Sequence, residues 1–139
     1  MKVLLSIKPE YTEKIFSGVK KYEFRRQKPR SIIERVFIYE CSPSKSIVGW
    51  FTVKKILSGS PEKIWDFCRS LSGIKKSKFF SYCNGKRVIY AFEIDRVYQF
   101  ETPINPFEIC SGFKPPQNFS YLDRLSIYNA IETRESDCR

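Results

Sequence analysis

A chain of 139 residues has room for one domain with one core, and 42% apolar with 16% aromatic residues exclude a disordered chain. The complete lack of histidine excludes Ser-His-Asp and Cys-His catalysis, H-E-x-x-H metalloproteases and His-Cys-Cys zinc deaminases, leaving Lys, Glu, Asp, Tyr or Cys for any acid–base step. The net charge of +10 is uneven, with 20 Lys/Arg against 7 Asp/Glu in residues 1–90 and 5 against 8 in residues 91–139, so one basic region that attracts polyanions is expected.

The chain opens on a short apolar run, Val3–Ile7, which reads as a strand. It is too short for the apolar part of a secretory signal, and no transmembrane run follows, so a cytoplasmic, membrane-free protein is expected. Pro9 stands at a first helical position, Tyr11, Ile15 and Phe16 form an i, i+4, i+5 stripe, and Gly18 ends that helix. Lys20–Arg26 alternates as a strand, with Tyr22 and Phe24 on the core face and Lys21, Glu23 and Arg25 on the other. Lys28–Ser31 is a loop. Arg35–Cys41 and Ile47–Leu57 read as strands joined by a turn over Ser42–Ser46, and Gly49 marks a bulge or a close backbone approach. Ser60-Pro61-Glu62 caps a helix with the stripe Ile64, Phe67, Cys68 and Leu71, stopped at Gly73. A second helix spans Lys76–Cys83 and ends at Asn84-Gly85. Arg87–Phe100 is the longest strand, bent near Asp95, after which Pro103, Pro106, Pro115 and Pro116 predict an irregular wrap. A last helix is expected around Tyr121–Ile131 and a frayed tail over Thr133–Arg139. The domain is thus placed at residues 1–132, with 133–139 as tail.

Five cysteines, Cys41, Cys68, Cys83, Cys110 and Cys138, are odd in number and lack any C-x-x-C pair. They read as reduced thiols, and neither a metal nor another cofactor is expected.

The densest charge lies in Lys20–Arg30, six cations and the single anion Glu23, with aromatics interleaved. That composition suits phosphate contacts beside base stacking. Glu23 and Arg25 stand about 6.6 Å apart along one strand face and can line a cleft together. Lys20 has the opposite parity and joins them only where the strand starts after it or twists sharply.

Gly18-Val19-Lys20-Lys21-Tyr22-Glu23-Phe24-Arg25 is similar to the G-x-K-x-x-E-x-R signature of the ASCH domain, a relative of the PUA domain. Leu5–Pro9, Ile47–Phe51 and Pro115–Tyr121 resemble further segments of that family, so the likeness extends from Met1 to Leu122. The resemblance implies an α+β fold, a small closed β-barrel of five or six strands with flanking helices and a cleft between the first helix and the barrel mouth. It implies a site of Lys8, Lys20, Glu23 and Arg25; Arg26 is added as a further binding candidate, and Ser6, Gln117 and Tyr121 as secondary cleft candidates. Family members are mostly taken to bind RNA in coactivator-associated or translation-linked settings. Some are amidohydrolases on acetylated cytidine, and at least one is described as a ribonuclease. Those amidohydrolases carry a threonine nucleophile where this chain has Glu23, and a carboxylate cannot replace it without a change of mechanism.

Three readings follow. The first is a monomeric binding module for RNA or a nucleotide-like ligand, in which Lys8, Lys20, Arg25 and Arg26 hold phosphate while Glu23 reads a base edge or orients Lys20. The second is a small hydrolase, an amidohydrolase or a ribonuclease, with Lys20 as base and Glu23 as acid. The third is a protein-interaction domain whose basic face meets an acidic partner.

Overall fold

The computed structural model describes residues 1–122 together with Asn129 and Ile131. Apolar side chains on both faces of the first strand, β1 (Lys2–Ile7), require cover on both sides: Val3, Leu5 and Ile7 join one core cluster and Leu4 another. β1 pairs in parallel with β3 (Arg35–Glu40), whose own four central residues are all buried. Near-continuous apolar runs are what a strand covered on both faces needs. Between them, α1 (Pro9–Ser17) starts on Pro9 and ends at Gly18 in the left-handed conformation, as its stop residue predicts. β2 (Tyr22–Arg25) begins only after Lys20 and Lys21.

β4 (Ser46–Gly59) and β5 (Ile89–Ile104) form the long central pair of a six-stranded sheet ordered β2-β5-β4-β3-β1-β6, with β6 spanning Phe119–Tyr121. The register of β4 against β5 shifts opposite Asp95 and Arg96, which accounts for the bend expected near Asp95. It shifts again between Ile47 and Gly49. A Cβ at Gly49 would collide with the Tyr98 carbonyl oxygen, so the close approach read from that glycine is present. β5 runs through Pro103, which the sequence assigns to an irregular wrap. The jump from Gln99 to Ile104 in the pairing loops Pro103 out of the ladder, so its missing N–H costs no bond.

The expected closed barrel is corrected to an open, curled sheet, because β2 and β6 are its two edges and do not pair with each other. They are four and three residues long, and prolines follow β2 at Pro29 and precede β6 at Pro115 and Pro116. Such short, proline-flanked edges offer too few donors to zip a seam.

Three further α-helices have ranges among the described residues. α2 (Pro61–Cys68) is capped by Ser60, whose Oγ accepts from the Lys63 N–H at 3.3 Å. Its buried face is Ile64, Trp65 and Cys68, while Phe67 is 64% exposed, so the expected stripe is turned by one position there. α3 (Lys76–Cys83) follows the predicted bounds. Phe79 and Cys83 of α3 pack with Trp65, Tyr22 and Phe24 into a third cluster over the β2–β5 edge, so Tyr22 and Phe24 are core residues as expected. The short α4 (Pro106–Ile109) stands within the expected irregular wrap, capped by Asn105 Oδ1 on the Phe107 N–H. Tyr121 ends β6 and does not open a helix. The rest of the expected Tyr121–Ile131 helix, apart from Asn129 and Ile131, and the tail lie outside the described residues. Among the described residues no helix is long and apolar enough to cross a membrane.

Candidate functional site

β2 has both faces covered, and its two charged residues therefore enter the fold. Glu23 is 7% exposed, and its carboxylate lies 3.0 Å from Arg25 Nη2. The same Nη2 donates to the Ser6 carbonyl at the end of β1, 2.9 Å away. Arg25 thus ties the end of β2 to the end of β1, and its buried Nε–H has no hydrogen-bond partner among the described residues. Burial of an unpaired donor costs about 1–3 kcal/mol.

Lys20 is 2% exposed, although it precedes the strand. The turn after Gly18 swings it inward, where its Nζ donates to the Ser72 carbonyl at 2.6 Å. The ammonium also sits 4.8 Å from the centre of the Phe24 ring and 5.4 Å from that of Tyr11. Burial pushes its pKa below the ordinary lysine value, and the Glu23 carboxylate opposes part of that shift. Gly73 holds the left-handed region at φ +66, and a Cβ there would meet Lys20 Cβ at 2.6 Å. Lys20 therefore lies flat against the backbone of the turn that follows α2.

These groups open on a cleft of about 420 Å³. Ser6 and Lys8 enter it from the β1–α1 junction, Tyr11 from α1, and Lys20, Glu23 and Arg25 from the motif segment. Five of the eight residues expected at the site thus stand around one concavity. The opposite wall comes from α3, where Lys78, Ser81 and Tyr82 recur at i, i+3 and i+4. None of these three was among the expected site residues, although their spacing on an amphipathic helix was a readable signal. Burial raises the Tyr82 hydroxyl above its ordinary value, with Arg25 pulling the other way, and burial likewise raises Tyr11.

Arg26, Gln117 and Tyr121 do not line this cleft. Arg26 stacks 5.1 Å from the Tyr82 ring centre and faces a separate groove, which Tyr121 also lines. Gln117 is exposed and lines neither concavity. Ser6 enters the cleft but spends its hydroxyl on the Pro116 carbonyl at 2.7 Å, which pins the loop before β6.

Chemically the cleft offers a buried ammonium, a buried carboxylate and a guanidinium, framed by aromatic rings. Such a set can hold an anionic group and an exocyclic amine at once.

The model of the ASCH domain matches residues 5–98. An ASCH domain-containing ribonuclease of Zymomonas mobilis subsp. mobilis is 31% identical over 123 residues, covering 86% of this chain and 82% of that protein. A large ribosomal subunit protein uL22 of Ureaplasma parvum is 26% identical over 123 residues, and the chain spans only 39% of its length. The crystal structure of the ASCH protein of Zymomonas mobilis superimposes with a TM-score of 0.84 at 25% identity, covering 98% of this chain and 94% of that one.

Proposed function

The chain belongs to the ASCH domain family, and we propose that it is an RNA-associated module whose cleft receives a single nucleotide. The observation that carries this reading is the buried Lys20–Glu23–Arg25 cluster opening on a ring-walled cleft of about 420 Å³. That volume lies in the range of about 300–1,000 Å³ for small-ligand sites. It suits one nucleotide, with the base between Tyr11 and Tyr82 and its amine edge toward Glu23. Exposed Lys8 and Lys78 at the rim supply phosphate contacts, and the unpaired Arg25 Nε–H is satisfied by a ligand acceptor. Lys20, spent on Ser72 and the rings, sets the charge of the cleft floor and does not clamp phosphate. The kinship with a ribonuclease supports RNA as the macromolecule.

One observation favours RNA hydrolysis as a second reading. The 31% identical Zymomonas relative is a ribonuclease, and an amine with a lowered pKa beside a carboxylate is a usable acid–base pair.

Titration with the four ribonucleoside monophosphates and a single-stranded octanucleotide, with a parallel cleavage gel, separates the two. The module reading expects saturable binding that prefers one base. Glu23→Gln should weaken that preference by about 1–3 kcal/mol, Lys8→Ala should weaken all four ligands alike, and RNA should stay intact. Cleavage by the wild type that disappears in Lys20→Met and Glu23→Gln establishes the nuclease instead. Neither binding nor cleavage rejects both.

A further inference from the structure

The cleft takes only Lys20 and Arg25 of the six cations in the segment Lys20–Arg30. Arg26, Lys28 and Arg30 follow β2 and face a different, larger groove of about 800 Å³. Lys86, from the turn before β5, joins them on its lining. Among the described residues no carboxylate lines this groove. Three rings line it as well: Tyr90 of β5 and Phe119 and Tyr121 of β6. Lys28 Nζ lies 5.7 Å from the Tyr90 ring centre, and the Phe119 and Tyr121 rings meet edge to face at 5.6 Å.

The position of this groove in the fold explains its contents. It is the open seam of the curled sheet, bounded by the segment that leaves edge strand β2 and by edge strand β6. The Arg30 N–H donates to the Tyr121 hydroxyl at 3.2 Å, which holds the seam's two sides together without a strand ladder. The seam also abuts the cleft: Arg25 belongs to the cleft, its neighbour Arg26 to the seam, and Tyr82 carries Arg26 while walling the cleft.

We propose that this seam is a second binding site, a track for the single-stranded RNA that flanks the nucleotide held in the cleft. Cations interleaved with rings, and without acidic groups, match a single strand, whose phosphates need positive charge and whose unstacked bases need flat partners. Arg26 lies where the strand leaves the cleft. A neutral extended peptide pairing with the β2 or β6 edge would have no use for four cations. The inference rests on the cleft's reading as a nucleotide site, and the two separate by experiment.

The probes are a ribonucleoside monophosphate and a single-stranded octanucleotide, titrated across salt into wild type, Glu23→Gln, and the triple variant Lys28→Ala, Arg30→Ala, Lys86→Ala. The three triple-variant positions are exposed, so the fold is expected to survive, checked by its melting temperature. Wild type should bind the octanucleotide more tightly than the monophosphate. The triple variant should leave monophosphate affinity within about twofold, while its slope of log affinity against log salt for the octanucleotide shrinks by about 2, at about 0.7 per lost phosphate contact. If the triple variant matches wild type in octanucleotide affinity and slope, the track is wrong, and the cleft stands if Glu23→Gln still alters base preference. If Glu23→Gln changes nothing while the triple variant loses octanucleotide affinity, the cleft reading fails and the seam alone binds RNA. A wild type that binds neither probe overturns both.

Discussion

At Lys20 an ammonium has been taken out of water and held by a carbonyl and two rings, with Glu23 as the nearby opposite charge. Burial is the larger influence on its pKa, which falls. At pH below that lowered value the group is charged in both folded and unfolded chains, and its burial costs stability in full. As pH climbs from the lowered value toward 10.5, the folded chain releases the proton first and the cost shrinks. Urea midpoints of wild type and Lys20→Met, measured from pH 7 to 10.5, should therefore show the wild type gaining on the variant as pH rises. A flat difference would mean that Glu23 has cancelled the desolvation. Glu23→Gln acts on the same cluster from the other side. It leaves the Arg25 guanidinium and the Lys20 ammonium without their carboxylate, and breaking a buried pair costs about 3–5 kcal/mol. Because Gln keeps an acceptor for Arg25, a loss of about 3 kcal/mol by chemical denaturation is expected, and Glu23→Leu should lose more.

Among the elements, the turn between α2 and α3 places Lys20. Ser72 supplies the carbonyl, and Gly73 supplies the space against which the lysine stem lies. Gly73→Ala meets two penalties, a left-handed backbone worth about 1–2 kcal/mol and overlap with Lys20 Cβ and Cγ. Denaturation should show a loss of about 2 kcal/mol or more, and monophosphate affinity should fall with it, because the lysine must move. A Gly73→Ala protein with unchanged stability and affinity would show that the turn does not set the site. The N-terminus of α2 offers a contrast: Ser60→Ala removes one exposed cap, should cost about 1 kcal/mol, and should leave nucleotide affinity unchanged.

For the molecule as a whole, charge asymmetry sets how it meets a polyanion. Of the 20 Lys/Arg in residues 1–90, Lys8 and Lys78 stand at the cleft rim and Arg26, Lys28, Arg30 and Lys86 line the seam. Some of these cations will miss a phosphate, so three to five contacts are expected. Log affinity for single-stranded RNA should then fall against log salt with a slope of about −2 to −3.5, at about 0.7 per contact. Fluorescence anisotropy between low and physiological salt measures it. A flat profile would point to a small neutral ligand or a protein partner and count against RNA.

Several element ends were legible from the sequence alone because their signals are local. Pro9 and Gly18 frame α1, Ser60 and Pro61 open α2, Asn84 ends α3, and the Tyr22–Phe24 alternation marks β2. The eight-residue motif likewise pointed to the family and to Lys20, Glu23 and Arg25 as companions. Three matters depended on contacts between residues distant in the chain. Lys20 is buried because the Ser72 carbonyl lies 52 residues away in sequence and 2.6 Å away in space. The cleft has a second wall because Phe79 and Cys83 bury one side of α3 and turn Lys78, Ser81 and Tyr82 toward β2. The sheet stays open because β2 and β6, both too short to pair across the seam, end on opposite edges, and this parts Arg26 from its neighbour Arg25. Periodicity and capping fix which side of an element faces the core. Which distant element supplies the other side of a site is set by how the whole chain packs.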